Sequence, residues 1–235
     1  MAKSKQNDAQ RPVGAPVDLL PAGNQPDLRP LHGRWMWLEP VRAAKHGQDL
    51  YDSFFESDPH GQVWTYLGYG PWEDFAQFEE WLKGREASRD PWFYAFIRRD
   101  TGKAVGMGSF MRCDALNGVI EIGHIWMSPG LQQTREATEA IYLMIRYCFD
   151  DLGVRRLEWK CDSLNAPSRR AAERFGFVFE GIFRQHMIVK SRNRDTAWYA
   201  MLDKDWHQVR AGFEAWLSPS NFDDKSQQKA KLQVK

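Results

Sequence analysis

Cysteine is scarce in this chain, three in 235 residues. Cys113, Cys148 and Cys161 form no CxxC pair and no spacing that a metal ion uses, which argues against a disulfide framework and a structural metal. They read as reduced core thiols of a cytoplasmic protein. Long apolar runs are missing as well. No stretch approaches the roughly eighteen uninterrupted apolar residues of a membrane span, and Met1 to Asp8 lacks the apolar centre of a secretory signal. Neither sign of charge dominates: 32 Lys and Arg face 31 Asp and Glu. No overall field therefore favours nucleic acid or an anionic membrane, and the expectation is that neither is a partner. The local basic group Lys190, Arg192 and Arg194, with Asp195 beside it, reads as a solvated turn.

What is present is apolar patterning sufficient for one sizeable core, with 43% hydrophobic residues and eleven tryptophans. The stretch from Val119 to Phe177 organises the rest. Val119–Met127 is β-branched and aromatic, and Ser128-Pro129-Gly130 ends it with turn residues. The period then changes from two to 3.6 through Ala137, Ile141, Met144, Ile145, Cys148 and Leu152, with Thr138-Glu139 in a polar first turn. A second strand over Arg156–Asp162 follows, and Asn165-Ala166-Pro167-Ser168 opens another helix that ends at Phe175-Gly176. Strand, helix, strand within about thirty-five residues is a parallel crossover unit. A ligand belongs outside the carboxyl end of its first strand, where a helix N-terminus offers unpaired N–H groups to an anion such as phosphate.

Upstream, residues 1–16 read as a disordered leader and Val17–Pro30 as surface-packed chain carrying Leu19-Leu20 and Leu28. A strand is expected over Gly33–Pro40, a helix over Val41–Phe55, a loop to Pro71 and a helix over Glu73–Arg85. Trp92–Ile97 and Ala104–Arg112 form a hairpin around Asp100-Thr101-Gly102-Lys103. The loop holds Val63 to Trp72, rich in aromatics, either as a hydrophobic lid or as the wall of an acceptor pocket built from Trp64, Tyr66 and Tyr69. Downstream, strands over Phe177–Lys190 and Thr196–Leu202 are joined by Ser191–Asp195, and Trp206–Leu217 is a helix. The chain divides into leader, one domain over 17–217 with its core at 34–206, and a polar tail over 218–235 expected to be disordered.

Glu121-Ile122-Gly123-His124-Ile125-Trp126-Met127, Thr138-Glu139-Ala140, Asn165-Ala166-Pro167-Ser168-Arg169-Arg170 and Arg174-Phe175-Gly176-Phe177, in this order and spacing, resemble the GNAT superfamily of acetyl-CoA-dependent N-acetyltransferases. Within it they are similar to the branch that acetylates ribosomal-protein N-termini and to its small-molecule-modifying relatives. The resemblance covers about residues 34–206. It implies an α+β fold in three layers: a mixed, mostly antiparallel sheet with a splayed parallel pair, and helices on both faces. It also implies acetyl transfer from acetyl-CoA straight to a primary amine of a small molecule or of a protein N-terminus, without an acyl-enzyme and without a metal. A non-catalytic CoA-binding or interaction module is the alternative, and a homodimer is among the assemblies left open.

Carried onto this chain, the pyrophosphate loop covers Gln132, Gln133, Thr134, Arg135, Glu136 and Ala137, followed by Thr138. Arg135 stands at a glycine position of the family pattern, so the loop relies on backbone N–H groups or on the guanidinium itself. Ile125, Trp126 and Met127 fall where the pantetheine arm and thioester oxygen bind. Asn165 is the expected pantetheine ligand, Ser168 a further ligand and the acid toward the thiolate, and Arg170 a contact to the 3′-phosphate. The residues alone leave local alternatives: Asn165 as a helix cap, Ser168 as a partner of a nearby backbone group, Arg170 as a solvated arginine. Glu121, a carboxylate on the central strand, is the expected base, or an ordinary ion-pair partner. His124 is the second choice, since imidazole titrates near neutrality.

Overall fold

A computed structural model of the chain describes residues 11–17, 23–55 and 57–234. Residues 1–10, most of the expected leader, and Leu19-Leu20 lie outside the described residues. Eight strands form one sheet in the order β1-β2-β3-β4-β5-β6-β8-β7. They are β1 Leu31–His32, β2 Met36–Pro40, β3 Trp92–Arg98, β4 Ala104–Asp114, β5 Val119–Met127, β6 Arg156–Asp162, β7 Val178–Val189 and β8 Arg192–Leu202. Every neighbouring pair is antiparallel except β5 and β6. The crossover between those two is α3, Arg135–Arg146, which continues as one wider turn over Tyr147–Asp151. The remaining helices are α1 Ala43–Phe55, α2 Phe75–Glu86, α4 Ala166–Arg174 and α5 Asp203–Trp216.

Strand alternation distributes the apolar residues to two cores, one on each face. Tyr94, Phe96, Phe110, Ile120, Ile122, Leu157 and Trp159 point toward α3 and α5. Phe93, Ala95, Ile97, Met107 and Trp126 point toward α1 and α2, where Leu50, Phe54, Phe78 and Leu82 meet them at helical spacing. The result is a three-layer arrangement. Helix α3 is buried from Glu136 through Ile145, because the β1–β2 turn covers the side that faces away from the sheet. Glu139 makes that contact: its carboxylate accepts the backbone N–H groups of Arg34, Trp35 and Met36 at 2.7, 2.6 and 2.7 Å. Gly33 is required beside it, since a Cβ there would lie 2.5 Å from the carboxyl carbon.

Two expectations change. The segment Ser191–Asp195 is not a loop, because Lys190 and Ser191 turn the chain in two residues with φ of 48° and 60° and β8 starts at Arg192. Paired positive-φ residues match the strand twist, which lets both strands extend. Second, the polar tail packs. Phe222 and Val234 are buried, Gln228 accepts the indole N–H of Trp216 at 2.9 Å, and a Cβ on Gly212 would sit 1.9 Å from the Gln233 carbonyl oxygen. Phe222 and Val234, with the partly buried Leu232, anchor it, and glycine lets its backbone lie directly on α5. Among the described residues, no helix is long and apolar enough to cross a membrane.

Candidate active site

The pairing of β5 with β6 runs from Val119–Arg156 to Glu121–Glu158 and stops. Past that rung β5 stays with β4 and β6 with β8, so the sheet forks. A bulge accompanies the fork. Met107 pairs with Trp126 and Ser109 with Gly123, which leaves His124 and Ile125 opposite the single residue Gly108. His124 takes a φ of 51°, and the bulge re-aims the end of the strand. Ile125, Trp126 and Met127 all lie beyond the last rung, where β5 has no partner on the β6 side.

Beyond one mouth of the fork, the loop after β5 leads into the N-terminus of α3. Thr134 caps this helix, its hydroxyl accepting Ala137 N–H at 3.1 Å and donating to the Leu131 carbonyl at 2.7 Å. The backbone N–H groups of Arg135 and Glu136, in the first turn, have no intrahelical acceptor and meet the positive end of the helix dipole. Gln133 bends the loop with a φ of 61°, and the Gln132 amide donates to the Met127 carbonyl at 3.0 Å. Arg135 turns away from this position. Its guanidinium bonds Glu136 at 3.0 Å and lies over the rings of Trp35 and Phe222 at 4.8 and 5.6 Å. The adjacent carboxylate is thereby neutralised. A second cation lies near the start of α3: Arg174 donates to the Thr138 hydroxyl at 3.2 Å, lies over the rings of Phe175 and Trp216, and has no ion-pair partner among the described residues. Its position in a motif next to Phe175-Gly176 carried no hint of this reach across to α3.

At the start of α4, Asn165 accepts Ser168 N–H at 3.1 Å, so it caps the helix. The Ser168 hydroxyl accepts the indole N–H of Trp159 at 3.0 Å and lies within hydrogen-bond reach of the Cys161 sulfur. Both residues stand at the carboxyl end of β6, on the face that carries α3. Arg170 is exposed on α4.

The opposite face holds the charged groups. Glu121 is 4% exposed and lies on the last rung, on the face away from Ile120 and Ile122. Arg112 and Lys160 each approach its Oε2 at 2.9 Å, and Lys160 also bonds Glu158 at 2.6 Å. The Lys160 ammonium sits 3.8 Å over the ring of Trp198. The ion-pair reading of Glu121 is thus realised, and its place at the fork is kept. His124 stacks on Tyr69 and bonds its hydroxyl through Nδ1 at 3.2 Å. Burial, and then the guanidiniums of Arg85, Arg112 and Arg194, push the imidazole down to about 4, so the ring is neutral at pH 7.

The aromatic loop closes this face. Trp64 is 1% exposed within the second core and presents only its carbonyl, which accepts the Lys190 ammonium at 2.9 Å. It is a lid residue, because Phe54, Trp72 and Trp126 enclose its ring. Tyr66 donates to the Leu164 carbonyl at 3.2 Å, and Tyr69 faces His124.

Comparison with known proteins agrees with this geometry. The family described as an acetyltransferase (GNAT) domain matches residues 36–178. A GCN5-related N-acetyltransferase from Brucella melitensis is 47% identical, with a TM-score of 0.89 over 92% of this chain and 97% of that one. The ribosomal-protein-serine acetyltransferase of Escherichia coli (strain K12) is 30% identical over 98 residues, which are 42% of this chain and 54% of that protein. The fold is also that of Mycobacterium smegmatis RimJ in complex with CoA-disulfide: TM-score 0.65, 20% identity, 80% of this chain and 92% of that one.

Proposed function

This chain belongs to the GNAT acetyltransferase family, and from that premise we propose that it transfers the acetyl group of acetyl-CoA to a primary amine of a small molecule. The fork that opens after the Glu121–Glu158 rung carries the reading. It puts the N-terminus of α3 on one face of the sheet and a buried, ion-paired carboxylate on the other, which suits a donor and an acceptor that approach from opposite sides.

Acetyl-CoA supplies a thioester acyl donor. The free N–H groups of the first turn of α3, with Arg174 beside them, suit its pyrophosphate and 3′-phosphate. The unpaired edge of β5 from Ile125 to Met127 suits the pantetheine amide groups, and its N–H groups polarise the thioester oxygen. Glu121 takes the proton that the amine gives up as its nitrogen bonds the acyl carbon and the C–S bond breaks. Arg112 and Lys160 hold that carboxylate in position. Ser168 turns its hydroxyl proton toward the departing sulfur. Two ties across the acceptor side, Tyr66 to Leu164 and Lys190 to Trp64, favour a small acceptor over a protein N-terminus, which needs an open groove.

Calorimetric titration with CoA and acetyl-CoA tests the donor half, with one site per chain in the micromolar range expected. Thiol release over a panel of small amines and of short peptides tests the acceptor half. Turnover confined to the peptides would refute the small-molecule acceptor; no heat with either nucleotide would refute transfer altogether.

A further inference from the structure

The acceptor side of the fork is short of oxygen acceptors. Its buried carboxylates are already matched: Lys160 bridges Glu121 and Glu158, Arg112 adds a second cation to Glu121, and Arg156 binds Glu158 and Glu180, while Asp162, at the end of β6 on the same face, accepts Leu164 N–H at 2.9 Å. Two guanidiniums are left over. Arg85, in the last turn of α2, lies 5.6 Å from the ring centres of both Trp81 and Phe93. Phe93 in turn packs against His124, with ring centres 5.2 Å apart. Arg194 lies in β8 at the same alternation as Thr196 and Trp198, hence on the face that Lys160 occupies. Neither arginine has an ion-pair partner among the described residues, and the Nε of each is buried with no acceptor. The indole nitrogens of Trp64, Trp126 and Trp198 are buried without partners too, whereas among the described residues no side-chain oxygen is stranded in that way.

Buried donors without acceptors are costly, and a bare surplus of positive charge more so. Both deficits are met by a ligand that brings oxygens and negative charge. Resting on the acetyl-transfer reading, the geometry points to an acceptor amine that also carries an oxyanion, a carboxylate or a phosphate, which Arg85 and Arg194 hold while the amine reaches the fork beside Glu121. The arrangement selects in two ways. A guanidinium pair holds an oxyanion through charge-assisted hydrogen bonds. The same positive field repels diamines and favours loss of the proton from an incoming ammonium, which leaves the nucleophilic form.

The test compares matched amines at fixed acetyl-CoA: glycine with glycinamide, 4-aminobutanoate with n-butylamine, and 2-aminoethyl phosphate with ethanolamine. In at least one pair the anionic member should have a kcat/KM about tenfold higher or more. Comparison of the carboxylate pairs with the phosphate pair identifies the oxyanion. Arg85→Gln and Arg194→Gln should each bring that ratio toward one, with CoA titration confirming that both variants fold. Binding is read separately, from tryptophan fluorescence of the CoA-saturated protein titrated with the N-acetyl product of each amine. If neutral members react and bind as well as anionic ones in all three pairs, the inference is overturned. If no amine turns over but the anionic products bind preferentially, acetyl transfer fails and the oxyanion site stands.

Discussion

Glu121 is at once a buried ion-pair partner and the carboxylate at the fork, and substitution separates the two roles. Glu121→Gln should lower kcat at pH 7 by about a hundredfold, the usual scale of a lost general base. CoA affinity should stay within about twofold, because the helix end proposed to bind the phosphates lies on the other face. An unchanged kcat would leave Glu121 with its ion-pair role alone. His124 gives a pH-dependence of known sign. Its proton affinity in the fold lies near pH 4 against an ordinary 6.5, so between these values the unfolded chain binds a proton that the native state does not. Stability on this account is complete above about pH 6.5 and is lost as the pH falls toward 4. The loss between pH 7 and 5 amounts to about 2 kcal/mol. His124→Asn, which tolerates the positive φ, should remove that portion. Urea unfolding of both proteins at the two pH values measures it as the difference in their losses.

Among the elements, α4 owes its first turn to Asn165, which accepts Ser168 N–H, and Asn165→Ala should cost about 1 kcal/mol in thermal or urea unfolding. The same cap aims Ser168 at Trp159, so KM for acetyl-CoA should rise with the loss; a stability change with no kinetic change would make the cap purely structural. Local signals made such elements readable. Val119–Met127 and Arg156–Asp162 begin and end where the residue pattern puts them, because β-branched runs and their turn residues act within a few positions. The β7–β8 turn was not readable in this way. Five polar residues, Ser191 to Asp195, look like a loop, yet cross-strand pairing absorbs Arg192–Asp195 into β8. Pairing of that kind is decided by the partner strand, not by the segment's own composition.

At the scale of the whole molecule, the segment before β2 and the segment after α5 meet beside the start of α3. Trp35, before β2, and Phe222, after α5, pack against each other, and Arg135 lies over both rings. Removal of residues 218–235 should therefore destabilise the protein by about 3 kcal/mol or more, since Phe222 and Val234 lose their burial. It should also weaken CoA binding by freeing Arg135 and Glu136. Thermal unfolding and calorimetry read the two effects, and an unaltered CoA affinity would limit the tail to a structural role. The sequence by itself determined the order of elements, the crossover unit and the family, since all of these rest on periodicity, turn chemistry and motif spacing over short range. Only the tertiary structure decided that Glu139 holds a turn 105 residues away, that Arg112 and Lys160 share Glu121, that Arg135 is occupied, and that Arg85 and Arg194 are not. The reason is physical: a charged side chain's role depends on which other charges the fold brings within hydrogen-bond reach, and these come from strands and helices far apart in the chain.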